Sequence, residues 1–193
     1  ECRHLAAHGV VYIRGGRVDG GPRCRFPTVG GDVDGIRVRV TGETPDEQIH
    51  QLSCKCLTTT GSIVFDGAVV DGAVRLNDAQ ADGDLTITDA TLRSHLWLGA
   101  VDSEHGRSGS ADVEGSIKLS GTTVSGELDL AGTGNRTGTL QPPTVGGTVD
   151  LSGTVVDGPA YLEPDLSDSQ IDVVDASAAT LAAGVIAQAT PAQ

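Results

Sequence analysis

Apolar residues recur along this chain with a period of eleven positions. Glycines at 61, 72 and 83, at 115 and 126, and at 147 and 158 are eleven apart, and they align eight units between residues 61 and 168. The third and fifth positions of every unit are apolar. The third positions are Ile63, Val74, Leu85, Leu96, Ile117, Leu128, Val149 and Ala160, and the fifth positions are Phe65, Leu76, Ile87, Leu98, Leu119, Leu130, Leu151 and Leu162.

Each unit predicts two short strands and two bends. The apolar pair brackets one outward residue, which is the two-residue period of a strand, and a second pair such as Ala68 and Val70 follows. Turn formers such as 66–67 separate the pairs, and corners such as 82–83 close the unit with Asp-Gly, whose residues tolerate positive φ. Short strands that turn repeatedly in one sense predict a β-solenoid. A further copy of the pattern lies at 9–19.

Two units together give a four-sided coil of 22 residues. A two-faced coil of eleven residues leaves little room for Leu, Ile and Phe between its sheets, and a three-faced coil does not stack equivalent positions. In a 22-residue coil, Ile63 and Phe65 stack on Leu85 and Ile87, about 4.8 Å away along the axis.

The repeat resembles two protein families. The stretches 69–76, 81–88 and 113–130, with their Val-x-Gly-x-Val/Ile rhythm, resemble bactofilins, which are polymer-forming β-helical scaffold proteins. Five-residue steps such as Ala90-x-Leu92 resemble pentapeptide-repeat proteins, although alternate faces here step by six residues. The resemblance covers residues 57–166 and implies an all-β, right-handed parallel β-helix (β-solenoid) without catalytic residues.

The repeat divides the chain into three regions. Residues 1–56 are predicted to be an N-terminal cap region with one repeat-like copy, 57–166 the solenoid core, and 167–193 a C-terminal tail or cap. Two polar, glycine-rich insertions, near 102–113 and 132–146, interrupt the core and are expected to loop outward.

Two segments outside the core carry helical signals. The capping-box sequence 44–47, with Pro at the first helical position, predicts a short capping helix over 45–52. In the Ala-rich stretch 176–190, Leu181, Val185 and Ala189 have the i, i+4 spacing of a small helix.

Composition and charge exclude several partners. The 193 residues include 27 Gly but one Trp, and the formal net charge is -13. This charge argues against binding to nucleic acids or anionic membranes. No apolar run approaches the roughly 18 residues of a membrane span, so no membrane insertion is predicted.

Four cysteines precede the core and are candidates for two disulfides: Cys2, Cys24, Cys54 and Cys56. All three pairings stay open, with Cys54–Cys56 the least favourable sterically. Free thiols and a zinc site built from all four cysteines, with His4 or His8 nearby, are the alternatives. Disulfides require an oxidising compartment, which favours an extracellular or cell-surface location over a cytoplasmic scaffold.

The rest of the chain provides little catalytic chemistry. His95, Asp102, Glu104 and His105 gather around one insertion, but no nucleophile motif accompanies them. The Asp-Gly corners lack the nonapeptide calcium signature. The outward fourth positions form a mixed surface: Val64, Arg75, Thr86, Trp97, Lys118, Asp129, Asp150 and Tyr161. No catalytic residue, metal or cofactor is therefore predicted.

These observations favour a non-catalytic structural protein that self-associates as a scaffold or surface-filament subunit. The alternatives are a carbohydrate-binding or polysaccharide-cleaving β-helix, in which Trp97 and Tyr161 stack on sugars, and an adhesin-like module of a larger protein. A spatial cluster of Asp with Arg or Lys on one face would favour the carbohydrate alternative.

Overall fold

The computed structural model describes residues 28–35, 37–41, 52–54, 56–99, 109–131, 143–162 and 179–182. It also describes the backbone of strands at 2–3, 6–7, 11–12, 17–19, 24–25, 101–103, 106–108, 174–175 and 185–186. In this part of the chain all regular structure is β-strand, and most strands are two residues long.

Four parallel sheets form the sides of a right-handed parallel β-helix. Sheet I contains β2 (Ala6–Ala7), β6 (Thr28–Val29), β10 (Thr58–Thr59), β14 (Gln80–Ala81), β20 (Asp112–Val113) and β24 (Thr144–Val145). Sheet II contains β3 (Val11–Tyr12), β7 (Val33–Asp34), β11 (Ile63–Val64), β15 (Leu85–Thr86), β21 (Ile117–Lys118), β25 (Val149–Asp150) and β28 (Val174–Asp175).

The other two sides follow the same order along the chain. Sheet III contains β4 (Arg17–Asp19), β8 (Arg39–Thr41), β12 (Val69–Val70), β16 (Thr91–Leu92), β22 (Thr123–Val124), β26 (Val155–Val156) and β29 (Thr180–Leu181). Sheet IV contains β9 (Leu52–Ser53), β13 (Val74–Arg75), β17 (Leu96–Trp97), β23 (Leu128–Asp129), β27 (Ala160–Tyr161) and β30 (Val185–Ile186). Two smaller pairs are β1 (Cys2–Arg3) with β5 (Cys24–Arg25), and the antiparallel β18 (Val101–Ser103) with β19 (Gly106–Ser108).

The predicted 22-residue coil is confirmed by the strand register. Ile63 pairs with Leu85 in sheet II, and Val74 pairs with Leu96 in sheet IV. All eight third-position residues are at most 1% exposed, and so is every fifth-position residue except Phe65, at 2%, and the partly buried Leu162. The apolar pairs of all four sides therefore point into one continuous core, whose burial is the main source of stability.

Side chains at one corner link the coils. The Ser62 Oγ accepts the N–H of Asp84 at 3.1 Å, the Asp84 Oδ1 accepts the N–H of Ser116 at 2.8 Å, and the Ser116 Oγ accepts the N–H of Thr148 at 3.1 Å. These polar residues satisfy backbone donors at the bend between sheets I and II, where the chain leaves the ladder.

The two bends of a unit need different residues. Positive φ occurs at the first bend, as at Gly153 (φ 66) and Asp89 (φ 52). At the Asp-Gly corners, Gly83 and Gly158 are not among the positive-φ residues, so these corners do not use the positive φ that their residues tolerate. At these corners the coils approach closely: the Gly115 N–H donates to the Gly83 carbonyl at 3.2 Å, and a Cβ on Gly115 would lie 2.7 Å from it.

The parallel pairing extends beyond residues 57–166. Strand β4 pairs with β8, which pairs with β12, so part of the N-terminal region belongs to the same sheets. At the other end, β28, β29 and β30 add to sheets II, III and IV. The predicted small helix near Leu181 and Val185 is therefore wrong, because both residues lie in strands.

The capping helix predicted over 45–52 falls mostly on residues 42–51, which lie outside the described residues. Its last residue, Leu52, belongs to β9 and is buried, with 3% of its surface exposed.

Of the two insertions, the first contains the hairpin β18–β19. The chain returns to sheet I at β20 after the first insertion and at β24 after the second.

Candidate functional site

The 22-residue coil sorts the outward fourth positions into two separate ladders. Val64, Thr86, Lys118 and Asp150 follow one another on sheet II. The second set, here called the sheet IV ladder, consists of Arg75, Trp97, Asp129 and Tyr161, which pair in direct register on successive coils. The two sets alternate along the sequence, so the outward fourth positions look like one mixed surface until the coils are stacked.

Ring contacts order one part of the sheet IV ladder, around Trp97. The Arg75 Cζ lies 4.6 Å from the centroid of the Trp97 ring. The His95 ring stacks on Trp97, with centroids 5.0 Å apart and planes inclined by 9°. A guanidinium over an indole face is a cation–π contact, so Arg75, Trp97 and His95 form one preordered cluster.

Asp129 lies between Trp97 and Tyr161 on the ladder. Although its register position is outward, its side chain has no solvent exposure, and its Oδ1 accepts the N–H of Ala131 at 2.9 Å. Arg75, Trp97 and Tyr161 keep part of their surface exposed. The solvent-accessible groups of the ladder are therefore the two aromatic rings and the guanidinium group, whereas the Asp129 carboxylate is buried.

His95 has a structural role at the corner before β17. Its Nδ1 accepts the N–H of Glu127 at 2.9 Å, as Ser62 and Asp84 do for their neighbours at the opposite corner. Accepting at Nδ1 leaves the proton of the neutral ring on Nε2.

The group of His95, Asp102, Glu104 and His105 around the first insertion falls mostly outside what the structure describes. Only the backbone of Asp102 is described, in β18, and Glu104 and His105 lie outside the described residues.

The hairpin β18–β19 is anchored on the preceding coil by two adjacent side chains. Asn77 Nδ2 donates to the carbonyl of Gly99, where the chain leaves the coil of the β-helix. Asp78 Oδ1 accepts the N–H of Gly109, where the chain returns, and the Asp78 N–H donates to the Gly109 carbonyl at 3.1 Å. Both ends of the hairpin are thus fixed to a rigid coil.

Three connections of the chain begin or end at strands of sheet IV. The hairpin and residues 132–142 both leave after a sheet IV strand and return to sheet I, on consecutive coils. Residues 42–51 connect sheet III to sheet IV. Sheet IV is the strongest candidate surface because its outward positions carry partly exposed aromatic and guanidinium side chains.

On sheet II, Lys118 forms an ion pair with Asp84, which lies at the bend before β15. Lys118 Nζ lies 2.6 Å from Asp84 Oδ2. Burial raises the pKa of Asp84, but the hydrogen bonds from Lys118 and from the Ser116 N–H outweigh it and leave this pKa lowered. Both side chains are more than a third exposed, so the pair contributes little to stability.

Two of the four cysteines occupy opposite positions in neighbouring strands. Cys2 pairs with Cys24 in the register of β1 and β5. Directly paired Cα atoms are about 4.8 Å apart, which lies inside the range of about 4.4–6.8 Å that disulfides span. Cys54 is buried and Cys56 is a partly buried corner residue with φ 56. The disulfides themselves stay a prediction.

We expect alkylation of the unreduced, denatured protein to label none of the four cysteines. A digest without reductant identifies the pairing: a Cys2–Cys24 cross-linked peptide, which the strand register allows, would oblige Cys54 to pair with Cys56, whereas cross-links from Cys2 and Cys24 to Cys54 and Cys56 would avoid that unfavourable pair. Mass spectrometry with and without reductant measures both. Labelling of all four cysteines would contradict the disulfide prediction.

Within the described ranges, no three His, Cys, Asp or Glu side chains are grouped so that they could hold a metal ion. A helix with the length and apolar character of a bilayer span is likewise not found in that part of the chain.

Comparison with known proteins assigns the chain to no family, so the chain is classified by its fold. No family model matches the chain. Neither a curated protein nor a solved structure matches it either. The chain is a parallel β-helix of four sides.

Proposed function

We propose that this protein is a non-catalytic structural β-helix that associates with further copies of itself as a scaffold or filament subunit. The observation that supports the proposal is that the strands at the ends of the sheets have a partner strand on one side only. Among the described strands, β28, β29 and β30 each pair on one side only, and so do β3 and β4 at the other end. Strand edges of this kind are templates for pairing with another chain.

Head-to-tail addition follows from the parallel pairing. A second copy that continues the ladders in the same direction keeps every inward column in register, as each coil does on the previous one. Such a contact joins two different surfaces, and it grows into an open filament unless a rotation closes it. The bactofilin-like rhythm of residues 57–166 is in keeping with a polymer-forming scaffold, and cell-surface exposure is part of this proposal.

Leu181→Lys is the variant that tests end-to-end association. Leu181 lies in β29 and packs partly against the core at the C-terminal end. A lysine there places an uncompensated charge in the contact, which costs more than about 1.4 kcal/mol and should raise the protein concentration needed for assembly at least about tenfold. Sedimentation velocity and electron microscopy measure this.

Thr180→Lys is the matched control, because Thr180 lies in the same strand but is exposed on the outer side. It should leave assembly unchanged. Salt must be varied in both experiments, since copies with a net charge of -13 repel each other until screening shortens the field to about 3 Å near 1 M. A wild-type protein that stays monomeric at high concentration over the whole salt range would refute self-association.

A further inference from the structure

We propose that the sheet IV ladder binds an extended, neutral polysaccharide that lies along the helix axis. Such a site uses one side of the helix, so it is independent of end-to-end association. Its residues come from four successive coils, β13, β17, β23 and β27.

In the described strands, two of the three aromatic residues at outward register positions, Trp97 and Tyr161, lie on this side of the helix, and the third, Tyr12, lies in β3 of sheet II. Among the described residues from 28 to 162, the outward positions of the other sheets carry no aromatic ring; sheet III, for example, presents Val69, Thr91, Thr123 and Val155. Aromatic faces pack against the C–H faces of pyranose rings, and nearby polar side chains orient the hydroxyl groups. Sheet IV therefore has the chemistry of a saccharide surface.

The spacing along the ladder suits a polymer. Trp97 and Tyr161 are two coils apart, because Asp129 pairs with both. Two coils correspond to about 9.6 Å along the axis, a distance comparable to two pyranose units of an extended chain. A polysaccharide parallel to the axis would thus meet the two rings with units of the same orientation.

The cluster is ordered before any ligand arrives. Arg75 rests over Trp97, and His95 stacks on the same ring while its Nδ1 is held by the Glu127 N–H. Side chains that are already fixed lose less rotamer entropy on binding. Because Arg75 and His95 both already contact the indole, Trp97 offers only its remaining exposed surface, and Tyr161 is the freer platform.

Charge decides which class of polysaccharide fits. The chain carries a formal net charge of -13, so a polyanion such as polygalacturonate is repelled over distances set by the salt concentration. Arg75 is the one cation of the ladder, and it is engaged with Trp97. A neutral hexopyranose polymer is therefore the expected ligand.

The single tryptophan of the chain makes the site directly observable, because Trp97 is the only source of indole fluorescence. Titration with hexaoses of β-1,4-linked glucose and of β-1,4-linked N-acetylglucosamine should give a saturable change in emission with at least one of them. A galacturonate hexamer should give none. Tyr161→Ala should weaken binding about fivefold to tenfold, whereas Tyr161→Phe, which keeps the ring, should bind like the wild type.

Thr123→Ala on sheet III is the matched control and should bind like the wild type. Trp97→Ala, measured by calorimetry because it lacks the fluorophore, should lose binding, and Trp97→Phe should recover part of it; circular dichroism verifies that both are folded. The proposal is overturned if neither neutral hexaose gives a saturable signal, if Thr123→Ala weakens binding as much as Tyr161→Ala, or if the galacturonate hexamer binds more tightly.

Discussion

Leu119→Asp is expected to abolish the cooperative unfolding transition of the β-helix. Leu119 has no solvent exposure, and its coil pairs through β21 with the coils before and after it. The substitution removes about 2 kcal/mol of apolar burial and places an unpaired carboxylate in the core. Together these costs approach the whole stability of an ordinary domain, about 5–15 kcal/mol. Urea titration followed by circular dichroism measures the transition.

Thr86→Asp is the control, since it introduces the same charge on the outer side of sheet II. Thr86 is partly exposed and pairs with Lys118 in the neighbouring strand. Its effect should stay within about 0.5 kcal/mol. If Leu119→Asp unfolded at the same urea concentration as the wild type, the inward register derived from the repeat would be untenable.

Gly115→Ala is expected to lower the free energy of unfolding by about 3 kcal/mol, because there is no room for a methyl group between the coils. The added Cβ would lie 2.7 Å from the carbonyl carbon and 2.7 Å from the carbonyl oxygen of Gly83. These are backbone atoms of the neighbouring ladder, so they cannot move aside without breaking the hydrogen bond from the Gly115 N–H. Thermal and urea unfolding give the change.

Gly153→Asn separates this steric effect from the effect of φ. Gly153 has φ 66, but the nearest atoms to an added Cβ are 3.8 Å away. Asp89 occupies the equivalent bend with φ 52, so a short polar residue is tolerated there. The loss should be well below about 1 kcal/mol. Equal losses in the two variants would mean that backbone conformation, rather than the close approach of the coils, explains the glycines.

The repeat was sufficient to predict the core, because burial fixes which side of each strand faces inward. Alternation within a strand and an eleven-residue period leave one arrangement in which Ile63 and Phe65, then Leu85 and Ile87, all enter the same interior. The pairing of Ile63 with Leu85 and the burial of all four residues agree with that arrangement.

Apolar spacing gave a wrong prediction where the same spacing fits both a helix and two strands. Leu181 and Val185 are four residues apart, which fits a helix face, but it also fits two inward positions on either side of a corner. The structure has strands at both, and the Thr180 N–H donates to the Thr154 carbonyl of the neighbouring coil at 2.8 Å. A partner strand far away in sequence therefore decided between helix and strand.

The sequence by itself determined the all-β repeat, the inward residues and the 22-residue coil, since all three depend on periodicity. The 22-residue coil already implies that Arg75, Trp97, Asp129 and Tyr161 share one side, but only the tertiary structure showed that Arg75 and His95 contact the Trp97 ring and that Asp129 is buried. It also gave His95 its corner role, because the Glu127 N–H that it binds belongs to the next coil. Contacts between coils decide which side chains touch on the surface, and the pattern of residues within one strand or bend does not encode those contacts.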